Sequence, residues 1–177
     1  RVFFFEAARN IHEKSFKTIA DFLPSKDQII GADFSFMKYS SRYDQVLDGG
    51  EPNIFSPHFS GGALVDLGVY PIYAALAWFG MPKESVYFGQ KIATGVDGFG
   101  VGVLRYDNFD VTIRTGKIND SFQQSEIYLV NGTLVMDAVN SISEAIFHDR
   151  NHQCREKLAV HQLENPMVEE AEEFARV

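Results

Sequence analysis

Asp66 and Tyr70 stand four residues apart in an otherwise apolar stretch, SGGALVDLGVYPIYAALAWFG, residues 60–80. Residues at that spacing share one helix face, so a carboxylate and a phenol can point into the same space. One is a hydrogen-bond acceptor and the other a proton donor and acceptor, a pairing suited to a polar ligand. Pro71 removes a backbone donor and disfavours helical geometry at Tyr70, so the spacing predicts a helix that kinks there or restarts at Pro71. A side chain at such an irregular point is easily aimed into a cleft. Gly61 and Gly62 let the backbone approach a ligand closely at the start of the helix. The bland alternative is a core tyrosine, with an aspartate that satisfies backbone donors near a helix start.

Three further residues are placed as substrate contacts. Arg9 and His12 fall where a strand runs into a helix, a junction that two rigid elements hold in place. His12 is equally well a solvated first-turn histidine, and Arg9 equally well a partner of Glu6 or Glu13. His58 precedes the glycine pair and reaches either the site or solvent. His148, His152, Cys154 and His161 crowd one region, but their spacing matches no structural zinc pattern, so no metal is expected.

The elements that would position these groups follow from periodicity. RVFFFE reads as a buried strand, and ARNIHEKSFKTIADFLP as a helix capped by Asn10, with Glu13 as reciprocal partner and Pro24 as stop. IIGADFSFM alternates as a strand with one buried face. SVYFGQK, GFGVGVLRY, FDVTIRTGKI, SEIYLVNG, TLVMDAVN and SEAIFHD read as strands joined by turns such as Asp107-Asn108 and Asn131-Gly132. MVEEAEEFARV reads as an amphipathic helix. The whole is an α+β domain over residues 1–177, with helices packed on one face of a large, mostly antiparallel sheet. The chain opens without a methionine and closes inside a helical pattern, which suggests a piece of a longer protein.

With 177 residues, 45% hydrophobic and 14% aromatic, the chain can bury one substantial core. Its formal net charge of −8 argues against nucleic-acid and anionic-membrane partners. The single cysteine excludes an internal disulfide and suits a reducing cytoplasm, the expected location. Asp66 and Pro71 interrupt the longest apolar run, so no membrane span is expected.

Residues 60–80 resemble the Gly-Gly-x-x-x-Asp-x-Gly-x-(His or Tyr) signature of the Gfo/Idh/MocA family of glucose-fructose oxidoreductases and inositol dehydrogenases. The element order resembles that family's C-terminal domain, which implies a glyceraldehyde-3-phosphate dehydrogenase-like C-terminal fold. The resemblance implies a two-domain oxidoreductase of sugars, polyols or related carbonyl compounds. Tyr70 falls on the proton donor and acceptor position and Asp66 on the acidic position lining the substrate site. The small-molecule substrate would meet NAD or NADP, bound mainly by a preceding domain, with Gly61 and Gly62 as the cofactor-binding positions that the resemblance implies in these residues. Hydride transfer to a carbonyl leaves an alkoxide that a phenol can protonate. An unperturbed phenol ionises near pH 10, so it needs a nearby cation, which the family supplies from a Glu-Lys-Pro motif not found in these residues. No strand here leads into a G-x-G-x-x-G turn, so these residues alone are expected to be inactive. The resemblance also implies a homodimer or higher homo-oligomer through the open sheet face. Two other readings share the fold: a ligand-binding or interaction module without redox chemistry, and glycoside hydrolysis through transient oxidation.

Overall fold

The computed structural model describes residues 8–176. The strand expected over RVFFFE lies outside them. Among the described residues, eight strands form one sheet in the order β2-β3-β4-β1-β5-β6-β7-β8. They are β1 (Ile29–Met37), β2 (Glu84–Lys91), β3 (Asp97–Arg105), β4 (Asp110–Gly116), β5 (Ser125–Leu129), β6 (Gly132–Met136), β7 (Ala145–Asp149) and β8 (Cys154–Lys157). Every neighbouring pair is antiparallel except β1 with β4, where Ala32 faces Val111 and Phe34 faces Ile113. The helices are α1 (Lys14–Phe22), α2 (Tyr43–Leu47), α3 (Ala63–Asp66), α4 (Val69–Phe79) and α5 (Val168–Arg176). The mostly antiparallel α+β architecture is therefore the one that periodicity predicts.

The side-chain period of two sorts each strand into an inner and an outer row. Ala32, Phe34, Val111, Ile113, Ile127, Leu134 and Met136 form the inner row and are buried with Phe16 and Ile19 of α1 and Ala74, Ala75 and Phe79 of α4. Trp78 of α4 stacks on Phe16 at 4.5 Å between ring centroids, fixing α4 against α1. A smaller apolar cluster of Val46, Phe55 and Val96 lies under the loop that leads into α3. Both clusters bear on Asp66 and Tyr70: the first seats α4, the second the loop before α3.

Three local expectations are corrected. Asn10 does not cap α1: it lies in a 3₁₀ turn, Arg9–His12, and the residue preceding α1 is Glu13, whose side chain makes no capping bond. The β5–β6 turn is Val130-Asn131, one residue earlier than the sequence suggests, because Leu129 pairs with Gly132. The signature helix breaks at Leu67 and Gly68 rather than at Pro71. Pro71 sits in the first turn of α4, where a missing N–H costs nothing because those donors have no intrahelical acceptor.

Candidate functional site

The glycine pair is explained by packing within the chain. Gly61 lies so close to the backbone of Ile54 that a Cβ would come within 2.7 Å of its carbonyl oxygen. Gly62 has φ of 129°, a conformation that favours glycine, and a Cβ there would collide with the Asp97 carboxylate. The amide N–H groups of both are used internally: Gly61 donates to Ser56 O at 2.8 Å and Gly62 to Ile54 O at 3.1 Å. The pair therefore offers a close backbone surface but no free amide donors for a phosphate. Asp97, from β3, accepts from the Leu64 amide at 2.8 Å and so satisfies a donor of the first turn of α3. It also accepts from the Tyr87 hydroxyl at 2.5 Å, and burial together with that bond pushes the Tyr87 phenol upward.

Asp66 closes this arrangement from the far end of α3. Its Oδ2 is paired with Nζ of Lys117, whose side chain is only 2% exposed while that of Asp66 is 46% exposed. An ammonium has three donors and no acceptor, and a buried one must place them all. Lys117 also donates to Ile54 O at 3.3 Å, and it sits 4.9 Å from the centroid of the Phe55 ring, a cation–π contact. Ile54 O thus accepts from both Gly62 and Lys117, and Asp66 N–H donates back to Gly62 O at 3.2 Å. The spacing Gly-Gly-x-x-x-Asp is the length of α3 needed to close a ring through Ile54 and Lys117. The Thr115 hydroxyl binds Ala63 O at 3.0 Å, a second tie from β4 to α3. Asp66 is therefore not the backbone-satisfying aspartate of the bland reading. Its partner is a buried cation, and its exposed edge lines a cavity of about 190 Å³ with Asn53, Phe59, Gly61 and Val65.

Tyr70 lies across the helix break. Gly68 permits the turn, since a Cβ there would meet Leu64 O at 2.6 Å, and its N–H donates to Ala63 O at 2.9 Å. The chain axis bends by 54° between residues 57–66 and α4. The Tyr70 ring meets Phe36 of β1 edge-on, with centroids 5.4 Å apart, and its carbonyl accepts from Asn10 Nδ2 at 3.3 Å. Asn10 is buried, and the same amide reaches Val139 O at 3.3 Å. Among the described residues, no protein group hydrogen-bonds the Tyr70 hydroxyl.

The remaining sequence candidates separate. Arg9 stays beside Tyr70 through its neighbour Asn10, but its guanidinium is occupied by Glu13 at 3.4 Å and by Asn140 O at 3.2 Å. His12 turns the other way and packs edge-on against Phe174 of α5, 5.4 Å between centroids. His58 is exposed in a 3₁₀ turn, its amide bound to Ser56 Oγ at 3.2 Å. Among the described residues, no group of three or more His, Cys, Asp or Glu side chains is placed to hold a metal ion, and His152 pairs with Asp149 at 2.7 Å. No single helix among them is long and apolar enough to cross a membrane. A cavity of about 510 Å³ lies on the other face of the sheet against Asp33, Asp110, Thr112 and Tyr128. Burial there raises the Asp33 carboxyl, opposed by Arg114 at 2.7 Å, and pushes Tyr128 up to about 12.

The sequence reading passes over Lys117 and takes Asn10 only as a helix cap. The inward series Phe109, Val111, Ile113, Thr115 carries straight on to Lys117, so a charge at a buried register position was there to be found.

The sheet with α1 and α4 on one face is an architecture shared with known oxidoreductases. The GFO/IDH/MocA C-terminal domain matches residues 34–135, and the chain belongs to that family. It is 37% identical over 175 residues to the uncharacterized oxidoreductase YgjR of Escherichia coli (strain K12), covering 99% of this chain and 53% of that protein. It is 34% identical over 169 residues to scyllo-inositol 2-dehydrogenase (NADP(+)) IolU of Bacillus subtilis (strain 168), covering 96% and 51%. The fold superposes on KijD10, a 3-ketoreductase from Actinomadura kijaniata solved with TDP-benzene and NADP, with a TM-score of 0.74 at 19% identity, covering 99% of this chain and 52% of that one. The chain thus spans about half the length of the curated relatives it matches.

Proposed function

We propose that the whole protein is an NAD(P)-dependent oxidoreductase of a polyol, sugar or related carbonyl compound, and that this chain is its substrate-binding and catalytic half. The observation that carries the reading is the state of Tyr70: the ring is held by Phe36 and the backbone by Asn10, while the hydroxyl is not engaged by any described protein group. A phenol so placed can give a proton to, or take one from, a substrate oxygen as hydride moves to or from the neighbouring carbon. The nicotinamide supplies that hydride chemistry when bound. Asp66 supports the reading as an acceptor for a substrate hydroxyl, since its exposed edge opens on a cavity beside Gly61. Arg9 acts through Glu13 and Asn140 rather than by offering a free charge, while His12 packs on Phe174 and His58 stands exposed. The family signature and the oxidoreductase names of both curated relatives support the assignment.

The test is Tyr70→Phe in the full-length protein, assayed with scyllo-inositol and NADP⁺. Loss of a general acid–base group should lower kcat by roughly 10²–10⁴-fold with cofactor binding unchanged. Wild-type kcat would overturn the role given to Tyr70. We also propose that the outer sheet face forms a homo-oligomer interface, because it presents Phe88, 69% exposed, and Val86 beside the outer row of β3. A monomer in sedimentation would remove that assignment.

A further inference from the structure

We infer that Lys117 is a positioning residue of the substrate site, holding the Asp66 carboxylate in the one orientation that faces the cavity. The inference rests on the placement of Asp66 in that site. Its own evidence is the geometry of Lys117. A buried ammonium on the residue that follows β4 reaches α3 by a single side-chain contact, the Asp66 carboxylate, and its other two directions are filled by Ile54 O and the Phe55 ring. None of the three can be given up without stranding a buried charge, so the Lys117 ammonium is a fixed point. Asp66 ends a four-residue helix followed by a glycine break, and nothing else among the described residues grips its carboxylate. One oxygen is held by the lysine, which leaves the other to accept from a ligand in the cavity lined by Phe59, Gly61 and Val65. Lys117 is spent on this task and presents no charge of its own to the cavity. Among the described residues, those that line this cavity carry no positive charge, so it suits neutral hydroxylated ligands better than a phosphate or carboxylate group.

The test uses the full-length protein. In a crystal structure of the Lys117→Met variant, α3 stays in place and the Asp66 carboxylate turns away from its wild-type position; an unmoved carboxylate overturns the inference. Kinetically, with scyllo-inositol and NADP⁺, Lys117→Met and Asp66→Asn each lower kcat/KM at least tenfold. The double variant is no worse than the poorer single one, because Lys117 acts through Asp66. Multiplying losses, or a Lys117→Met enzyme that melts earlier but keeps wild-type kcat/KM, overturn it. An Asp66→Asn enzyme with wild-type kcat/KM sinks instead the placement of Asp66 in the substrate site. In that case, or where scyllo-inositol is not turned over, the crystallographic comparison decides for Lys117. Should Lys117→Met fail to fold, Lys117→Gln, which keeps a donor for Ile54 O, is read in the same way.

Discussion

The two sides of the helix break hold their functional groups by opposite means. On the Asp66 side the polar group itself is gripped, in a ring that runs through Lys117, Ile54 and Gly62. On the Tyr70 side the grip is on everything except the polar group: the ring lies against Phe36 and the carbonyl is bound by Asn10. A carboxylate that binds substrate is best pre-oriented, whereas a hydroxyl that exchanges protons must keep its hydrogen-bonding capacity for the substrate. Stability and function should therefore be joined at Asp66 and separable at Tyr70.

The largest stability effect should come from Asp66→Ala, which strands the buried Lys117 ammonium. Removing one partner of a buried ion pair costs about 3–5 kcal/mol, and the half-exposed carboxylate places this case near the lower end. Lys117→Met should cost less in denaturant unfolding, because the carboxylate it leaves behind can hydrate. If the two variants unfold alike, Lys117 is not the stranded member. Asn10→Ala tests the other side of the break. It leaves the Tyr70 and Val139 carbonyls without their amide donor, at about 1 kcal/mol for each lost hydrogen bond. An unchanged midpoint would show that the clamp adds nothing.

Glu13 gives a smaller effect of predictable sign. It is buried near Arg9 and Glu169, and burial raises its carboxyl above the ordinary value of 4.5, with Arg9 opposing and Glu169 adding. A raised folded-state value means that the native state binds more protons than the unfolded one, so stability falls as pH rises from 4.5 through the folded value. Glu13→Gln should flatten that limb in denaturant titrations at stepped pH. A variant with the wild-type slope would assign the limb to another group, Asp33 being shifted in the same direction.

The strand alternation was legible because it depends on residues close in sequence, whereas the shared helix face expected for Asp66 and Tyr70 was not met, because the break at Leu67 and Gly68 puts them on two helices bent by 54°. The parallel pairing of β1 with β4 was not legible, since it joins Gly31 to Asp110 and no local pattern encodes it. Strand β8 escaped because all four of its residues are exposed and carry no apolar alternation. Asn10 has the chemistry of a helix cap, but its amide is claimed by two carbonyls more than fifty residues away, and tertiary partners overrode the local preference. Pro71 misplaced the break because proline is tolerated in a first turn, while the close contact of Gly68 with Leu64 that sets the true break is invisible until α3 has formed.

The smallest stability effect belongs to the residue with the largest expected effect on turnover. Tyr70→Phe removes a hydroxyl that no described protein group uses and keeps the ring that packs against Phe36. Such a change should stay within about 0.5 kcal/mol, and the melting temperature should shift by no more than a few degrees. The outcome that would break the contrast is a loss of about 2 kcal/mol or more. It would mean that the Tyr70 hydroxyl serves the fold as the Asp66 carboxylate does, and a drop in activity could then no longer be read as the loss of a proton donor.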